Sequence, residues 1–113
     1  MIRRIFMDPL LQKEIEEIIN CNQIVVFIKG SREQPRCGFS NTVIQILDTL
    51  NLDYKTIDVL SCPGIREGIK EYSKWPTIPQ IYIKGEFLGG ADIILELYKT
   101  KMLQEMVEAL KHS

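Results

Sequence analysis

Gln23-Ile24-Val25-Val26-Phe27-Ile28, then the polar stretch Lys29 to Arg36, then Cys37-Gly38-Phe39-Ser40 decide how this chain folds. The first part is a β-branched, apolar run too short for a helix, as expected of a central strand covered on both faces. Lys29 to Arg36 is charged and carries a proline, so it reads as a loop. From Cys37 a helical period takes over, with Phe39, Val43, Ile46, Leu47 and Leu50 expected on one inward face. Strand, loop and helix in this order are half of a parallel crossover.

Reading outward, Asp8-Pro9 is a helix opening, an N-cap oxygen followed by a proline whose missing N–H costs nothing there. Leu11, Ile15, Ile18 and Ile19 then form one apolar stripe. On the other side, Tyr54 to Val59 reads as a strand and Pro63 to Ser73 as a helix with Ile65, Ile69 and Tyr72 inward. Gln80 to Ile83 and Glu86 to Leu88 flank Lys84-Gly85, a hairpin signal. Gly89-Gly90 leads to Asp92, expected as the N-cap of a terminal helical region holding Ile93, Leu97, Leu103, Met106, Val107 and Leu110. The order α-β-α-β-α-β-β-α predicts an α/β protein with a mixed four-stranded sheet and helices on both faces, the thioredoxin fold.

A chain of 113 residues holds one core, here expected over 8–113 behind a short N-terminal extension, 1–7. That extension reads as a disordered start or the stub of a trimmed targeting sequence. Apolar residues make up 45 % and charged residues 26 %, which excludes wholesale disorder. The net charge of −1 gives no sign of nucleic acid or a membrane surface as partner. No apolar run approaches the ~20 residues of a spanning helix. Three cysteines, at 21, 37 and 62, are too few for a disulfide scaffold and point to a reduced, cytoplasmic setting.

Three features carry chemistry. Cys37 stands where loop becomes helix, against unpaired backbone N–H groups and the positive end of the helix dipole, with Arg36 and Lys29 adding positive charge. All of these favour thiolate, so its pKa is expected below the free value. Ser40 occupies the position of the second thiol in a Cys-x-x-Cys motif and cannot resolve a mixed disulfide. His112, the only histidine, is expected to be solvated at the C-terminus. One chain therefore supplies one good metal ligand, and a metal would recruit the rest from elsewhere. Trp75-Pro76-Thr77-Ile78-Pro79 cannot lie inside a helix or a central strand. A cis Ile78–Pro79 bond there would expose the Ile78 backbone beside the thiol, although Trp75 taken alone reads as a core or helix-end aromatic. Gly89-Gly90-Ala91-Asp92 allows close backbone approach and turns free N–H groups toward an anion, or is a plain turn with its cap.

Together these residues resemble the monothiol (CGFS-type) glutaredoxin family, over about Asp8 to Leu110. The resemblance rests on Phe27-Ile28-Lys29-Gly30, the step from Lys29 to Cys-Gly-Phe-Ser at 37–40, Arg66 and Lys70, Trp75 to Gln80, and Gly89-Gly90-x-Asp92. It implies the thioredoxin fold, the cis Pro79 bond, and a groove in which glutathione joins Cys37 on a [2Fe–2S] cluster. Glutathione contacts carry over to Lys29, Arg66, the Ile78 backbone, Ala91 and Asp92, with Lys70, Thr77 and Gly90 beside them. Two carboxylates suit Lys29, Arg66 and the N–H groups near Ala91, and one ammonium suits Asp92. Two chains and two glutathiones supply the four thiolates that such a cluster requires.

One departure is Ala91, where family members serving mitochondrial cluster assembly often carry a second cysteine. It weakens a mitochondrial-matrix assignment against a cytoplasmic one. Cys21 and Cys62 fall outside the motif and read as incidental, with a regulatory disulfide at Cys62 as the alternative. The resemblance implies a carrier, monomeric when empty and homodimeric when loaded, that passes its cluster to apo iron–sulfur acceptor proteins. Two alternatives stay open: a glutathione-dependent thiol–disulfide oxidoreductase working through Cys37 alone, and a redox adaptor that is simply glutathionylated. The long Lys29–Cys37 connection, associated in this family with poor turnover, favours the carrier and implies weak oxidoreductase activity.

Overall fold

The computed structural model describes residues 8–111; the N-terminal extension and His112 lie outside them. Its elements are α1 (Pro9–Asn20), β1 (Ile24–Ile28), α2 (Gly38–Thr49), β2 (Lys55–Asp58), α3 (Pro63–Ser73), β3 (Gln80–Ile83), β4 (Glu86–Gly89), α4 (Ala91–Lys99) and α5 (Met102–Lys111). The strands lie in the order β2-β1-β3-β4, with β1 parallel to β2 and antiparallel to β3, and β3 antiparallel to β4. This is the expected mixed four-stranded sheet.

β1 is buried at every residue. Its side chains alternate between two cores. Ile24, Val26 and Ile28 join Val43, Leu47, Ile81, Ile94 and Leu103 on the α2/α4/α5 face. Val25 and Phe27 join Ile15, Ile19, Ile65, Ile69 and Tyr82 on the α1/α3 face. A strand with period two and both faces covered must be apolar throughout, which is why its sequence shows no alternation. Close packing needs small residues locally: a Cβ on Gly68 of α3 would stand 2.7 Å from Leu11 Cδ2 of α1.

α1 opens as expected, with the Asp8 carboxylate accepting the Leu10 N–H at 3.1 Å. Several expectations are corrected. Gln23 precedes β1, and β2 is shorter than Tyr54–Val59 because only 55–58 pair with β1. Phe39 is 63 % exposed rather than inward, since the first turn of α2 projects past the sheet end that the core covers. Ile94, not Ile93, is the buried residue of α4. Gly90, in an extended conformation, is the N-cap of α4, and Asp92 lies inside the first turn. The terminal helical region is two helices, broken at Lys101, whose φ is 68°.

Candidate functional site

The C-terminal ends of the parallel strands β1 and β2 deliver the site. β1 runs out into Lys29, and α2 begins again at Cys37. The connection between them is tied down repeatedly. Arg36 N–H donates to the Lys29 carbonyl at 2.8 Å, and Gly30, at φ 94°, pairs with Pro35 as an isolated bridge. Gly30 N–H also donates to Asp58 Oδ1 at 3.0 Å. Farther out, Arg32 bonds Asp48 at 2.7 Å and lies 4.2 Å above the Tyr54 ring.

Cys37 is the N-cap of α2, and its sulfur accepts the Ser40 N–H at 3.4 Å. The Ser40 hydroxyl, fully buried, stands 3.6 Å from the same sulfur and accepts the Lys29 N–H at 3.2 Å. Ser40 thus fastens the end of β1 to the thiol from both sides, and its O–H is free to turn toward a thiolate. Partial burial pushes the Cys37 thiol up. The Ser40 N–H and hydroxyl, the Phe39 N–H and the Lys29 charge outweigh it and hold the pKa below the ordinary value. The charge that acts is Lys29; Arg36, expected to add to it, is exposed and does not contribute to the lowering. Sequence reasoning read Ser40 only as a missing thiol. The signal for more was a small polar residue on the inward side of an apolar helix.

Beside the thiol lies a groove of about 540 Å3, within the range of small-molecule sites. Lys29, Lys70, Thr77, Ile78, Gly90, Ala91 and Asp92 line it together, with Phe39, Trp75, Pro76, Pro79 and Ile93. Cys37 and Arg66 are not among its lining residues. Arg66 is half-buried, with Nε enclosed and without a hydrogen-bond partner. Lys70 Nζ stands 3.8 Å from Glu67 of the same helix. Ile78 lines the groove while its side chain is packed in the α1/α3-side core. The Ile78–Pro79 bond is cis. Trp75, 39 % exposed, packs its ring 5.7 Å from that of Phe87.

Phe39 and Ile93, displaced from the expected core, are groove walls. Gly89 sits at φ 148°, and a Cβ there would meet Ile93 Cβ at 2.7 Å, so only glycine lets Ile93 stand against the hairpin end. α4 opens with no side-chain cap, which leaves its first N–H groups facing outward with Asp92 in the same turn. Two ammonium groups, an uncapped helix start, one carboxylate and an apolar wall suit a small peptide carrying carboxylates and an ammonium. Among the described residues no three His, Cys, Asp or Glu side chains gather.

A glutaredoxin family profile matches residues 24–88. The ycf64 monothiol glutaredoxin of Porphyra purpurea is 59 % identical over 104 residues, 92 % of this chain and 97 % of that protein. A ycf64-like counterpart in Synechocystis is 52 % identical over 102 residues, 90 % of this chain and 95 % of that one. In three dimensions the chain is similar to reduced apo GrxS14 from poplar, with TM-score 0.80 and 45 % identity over 95 % of this chain and 98 % of that one. Relatives in Arabidopsis thaliana and Danio rerio, 52 % and 46 % identical, are named chloroplastic and mitochondrial; the match spans 58 % and 64 % of their lengths. With a capped thiol, a serine in place of the second one, and this likeness over nine-tenths of its length, the chain belongs to the monothiol glutaredoxin family.

Proposed function

We propose that this protein carries a [2Fe–2S] cluster as cargo, held between two copies by two Cys37 thiolates and two glutathione thiolates, and delivers it to apo acceptor proteins. The empty form is a monomer and the loaded form a homodimer. The observation that carries the reading is a single thiol, drawn toward thiolate, beside a groove furnished for a small anionic peptide. Soft thiolates suit iron, and one per chain cannot complete a cluster. Glutathione would lie with its carboxylates toward Lys29, Lys70 and the start of α4 at Ala91. Its ammonium would face Asp92, and its backbone would run along Thr77, Ile78 and Gly90. Arg66 joins these contacts by turning its guanidinium toward a carboxylate, which gives its enclosed Nε an acceptor. The setting is a reducing, glutathione-containing compartment: the cytoplasm that the cysteine count suggests, or an organelle like those of the named relatives.

The lowered Cys37 pKa also favours a second reading, a monothiol oxidoreductase. There the Cys37 thiolate attacks the glutathione sulfur of a mixed disulfide and the substrate thiolate leaves. A second glutathione thiolate then reduces Cys37 and departs as glutathione disulfide. Two assays on one preparation separate the readings. The carrier requires transfer of an intact cluster to an apo acceptor together with slow turnover of a glutathionylated peptide. Fast turnover without measurable transfer makes the oxidoreductase the function.

A further inference from the structure

The groove wall formed by Trp75 to Pro79 has two prolines among its residues and so belongs to no regular hydrogen-bond ladder. Its carbonyls need donors from elsewhere. Gln80, the first residue of β3, supplies them. Its Nε2 donates to the Trp75 carbonyl at 3.0 Å and to the Thr77 carbonyl at 3.2 Å. Its Oε1 accepts the Tyr82 O–H at 3.2 Å. Gln80 is fully buried, and Tyr82 is 1 % exposed. Both amide hydrogens and the amide oxygen are engaged, so the amide has one satisfied orientation. Its backbone pairs with Phe27 of the central strand, two residues before Lys29. Gly90, also a lining residue, packs closely against the same wall: a Cβ there would stand 3.2 Å from the Pro79 carbonyl oxygen and 3.4 Å from Trp75 Nε1.

We infer that Gln80 is a positioning residue for the groove, a buried latch that fixes the Trp75–Pro79 wall to the sheet at the spacing glutathione needs from Lys29. The inference rests on the glutathione reading of the groove for its purpose, but the latch itself is measurable without ligand. Trp75 is the only tryptophan, so its fluorescence reports on the wall directly.

The test uses the full chain, with glutathione affinity by calorimetry and acrylamide quenching of Trp75 in the free protein. Gln80→Leu keeps the size and removes the donors. It should bind glutathione about tenfold more weakly, the scale of losing one or two buried hydrogen bonds, and its Trp75 should quench more readily. Gln80→Glu supplies a further readout. A carboxylate there faces the Trp75 and Thr77 carbonyls and the Tyr82 hydroxyl, which burial keeps protonated. Only its protonated form can donate to a carbonyl, so its deficit against wild type should shrink between pH 8 and pH 5.5. Tyr82→Phe, which leaves the apolar core intact, should loosen the wall with a loss of about two- to threefold and serves if the Gln80 variants fail to fold.

Folded Gln80→Leu with wild-type affinity and wild-type quenching overturns the inference. So does a Gln80→Glu deficit that does not change with pH, or, where the Gln80 variants do not fold, a Tyr82→Phe protein identical to wild type in both readouts. Wild-type protein that binds no glutathione refutes the reading of the groove instead, and Trp75 quenching then still decides the latch.

Discussion

Two cysteines of this protein sit at helix N-caps, and they differ in almost everything else. Cys37 caps α2, receives the Ser40 N–H, and is half-buried beside Lys29. Cys62 caps α3, makes no side-chain cap hydrogen bond, and is exposed. The residues that follow explain the difference. After Cys37 comes Gly38, which keeps its N–H, and three positions on stands a buried serine whose hydroxyl and N–H both reach the sulfur. After Cys62 comes Pro63, which has no N–H, and three positions on stands Ile65, which belongs to the core. A helix start therefore does not by itself bring hydrogen-bond donors to a cysteine sulfur. What matters is whether the first turn turns donors toward the sulfur, and whether a strand end brings a cation to it.

The strongest way to break this contrast is to delete each sulfur. Cys37→Ser should lose all glutathione adduct and all cluster, whereas Cys62→Ser and Cys21→Ser should retain both; intact-mass spectrometry and iron content measure this. The groove charge comes next. Lys29→Met would remove the proposed charge-assisted contact to a glutathione carboxylate, roughly 1.5–3 kcal/mol, so glutathione affinity should fall about tenfold to a hundredfold by calorimetry. Arg66→Met should cost less, about a few-fold, because Arg66 is not a lining residue and must turn to make its contact.

Ser40→Ala sharpens the comparison by making Cys37 more like Cys62. The thiolate is the reactive form and its pKa is depressed, so alkylation of Cys37 begins at lower pH than for a free thiol. Losing the hydroxyl should move the midpoint up and slow alkylation at neutral pH by roughly several-fold, with Cys62 alkylation unchanged. A Cys37 midpoint that stays put would remove the hydroxyl from the account and leave the Ser40 and Phe39 N–H groups and the Lys29 charge to hold the pKa down.

The smallest expected effect concerns Asp58, which tethers the approaches to both caps through Gly30 N–H, Leu60 N–H and the Ser61 hydroxyl. Burial raises its carboxyl pKa, and these donors more than reverse that, leaving it below the usual value. The stability this contributes is complete above the unfolded value of about 4 and is lost as pH falls through the folded value. Asp58→Asn should flatten that acid limb in urea denaturation while leaving the neutral-pH limb similar in shape.

Much of this was legible in the chain itself. The Ile24–Ile28 run, the bounds of α3 and the hairpin at Lys84-Gly85 follow from period and turn chemistry, because core burial imposes them directly. Phe39 and Ile93 depart from the expected core for one reason: both lie in the first turn of a helix, where the apolar stripe outruns the core and lines the groove instead. Asp92 is not the cap because the helix begins two residues earlier, with Gly90 as an N-cap that uses its backbone alone. The α4–α5 break rests on a positive φ at a lysine, which nothing in the periodicity signals. In the sequence Ser40 and Gln80 stand only as members of motifs, yet their work lies in buried hydrogen bonds to residues far away in sequence or across a turn. The hint was present in each case, a polar residue set among apolar neighbours.

The central claim is that Cys37 and glutathione together hold the cluster. Anaerobic reconstitution with iron, sulfide and glutathione, followed by sizing and by counts of each component, tests it most directly. The account predicts a brown dimer containing two irons, two sulfides and two glutathiones, formed by wild type and Cys62→Ser but not by Cys37→Ser, and not formed when glutathione is withheld. A Cys37→Ser protein with stoichiometric iron and sulfide, or a wild-type dimer that assembles fully without glutathione, would contradict it.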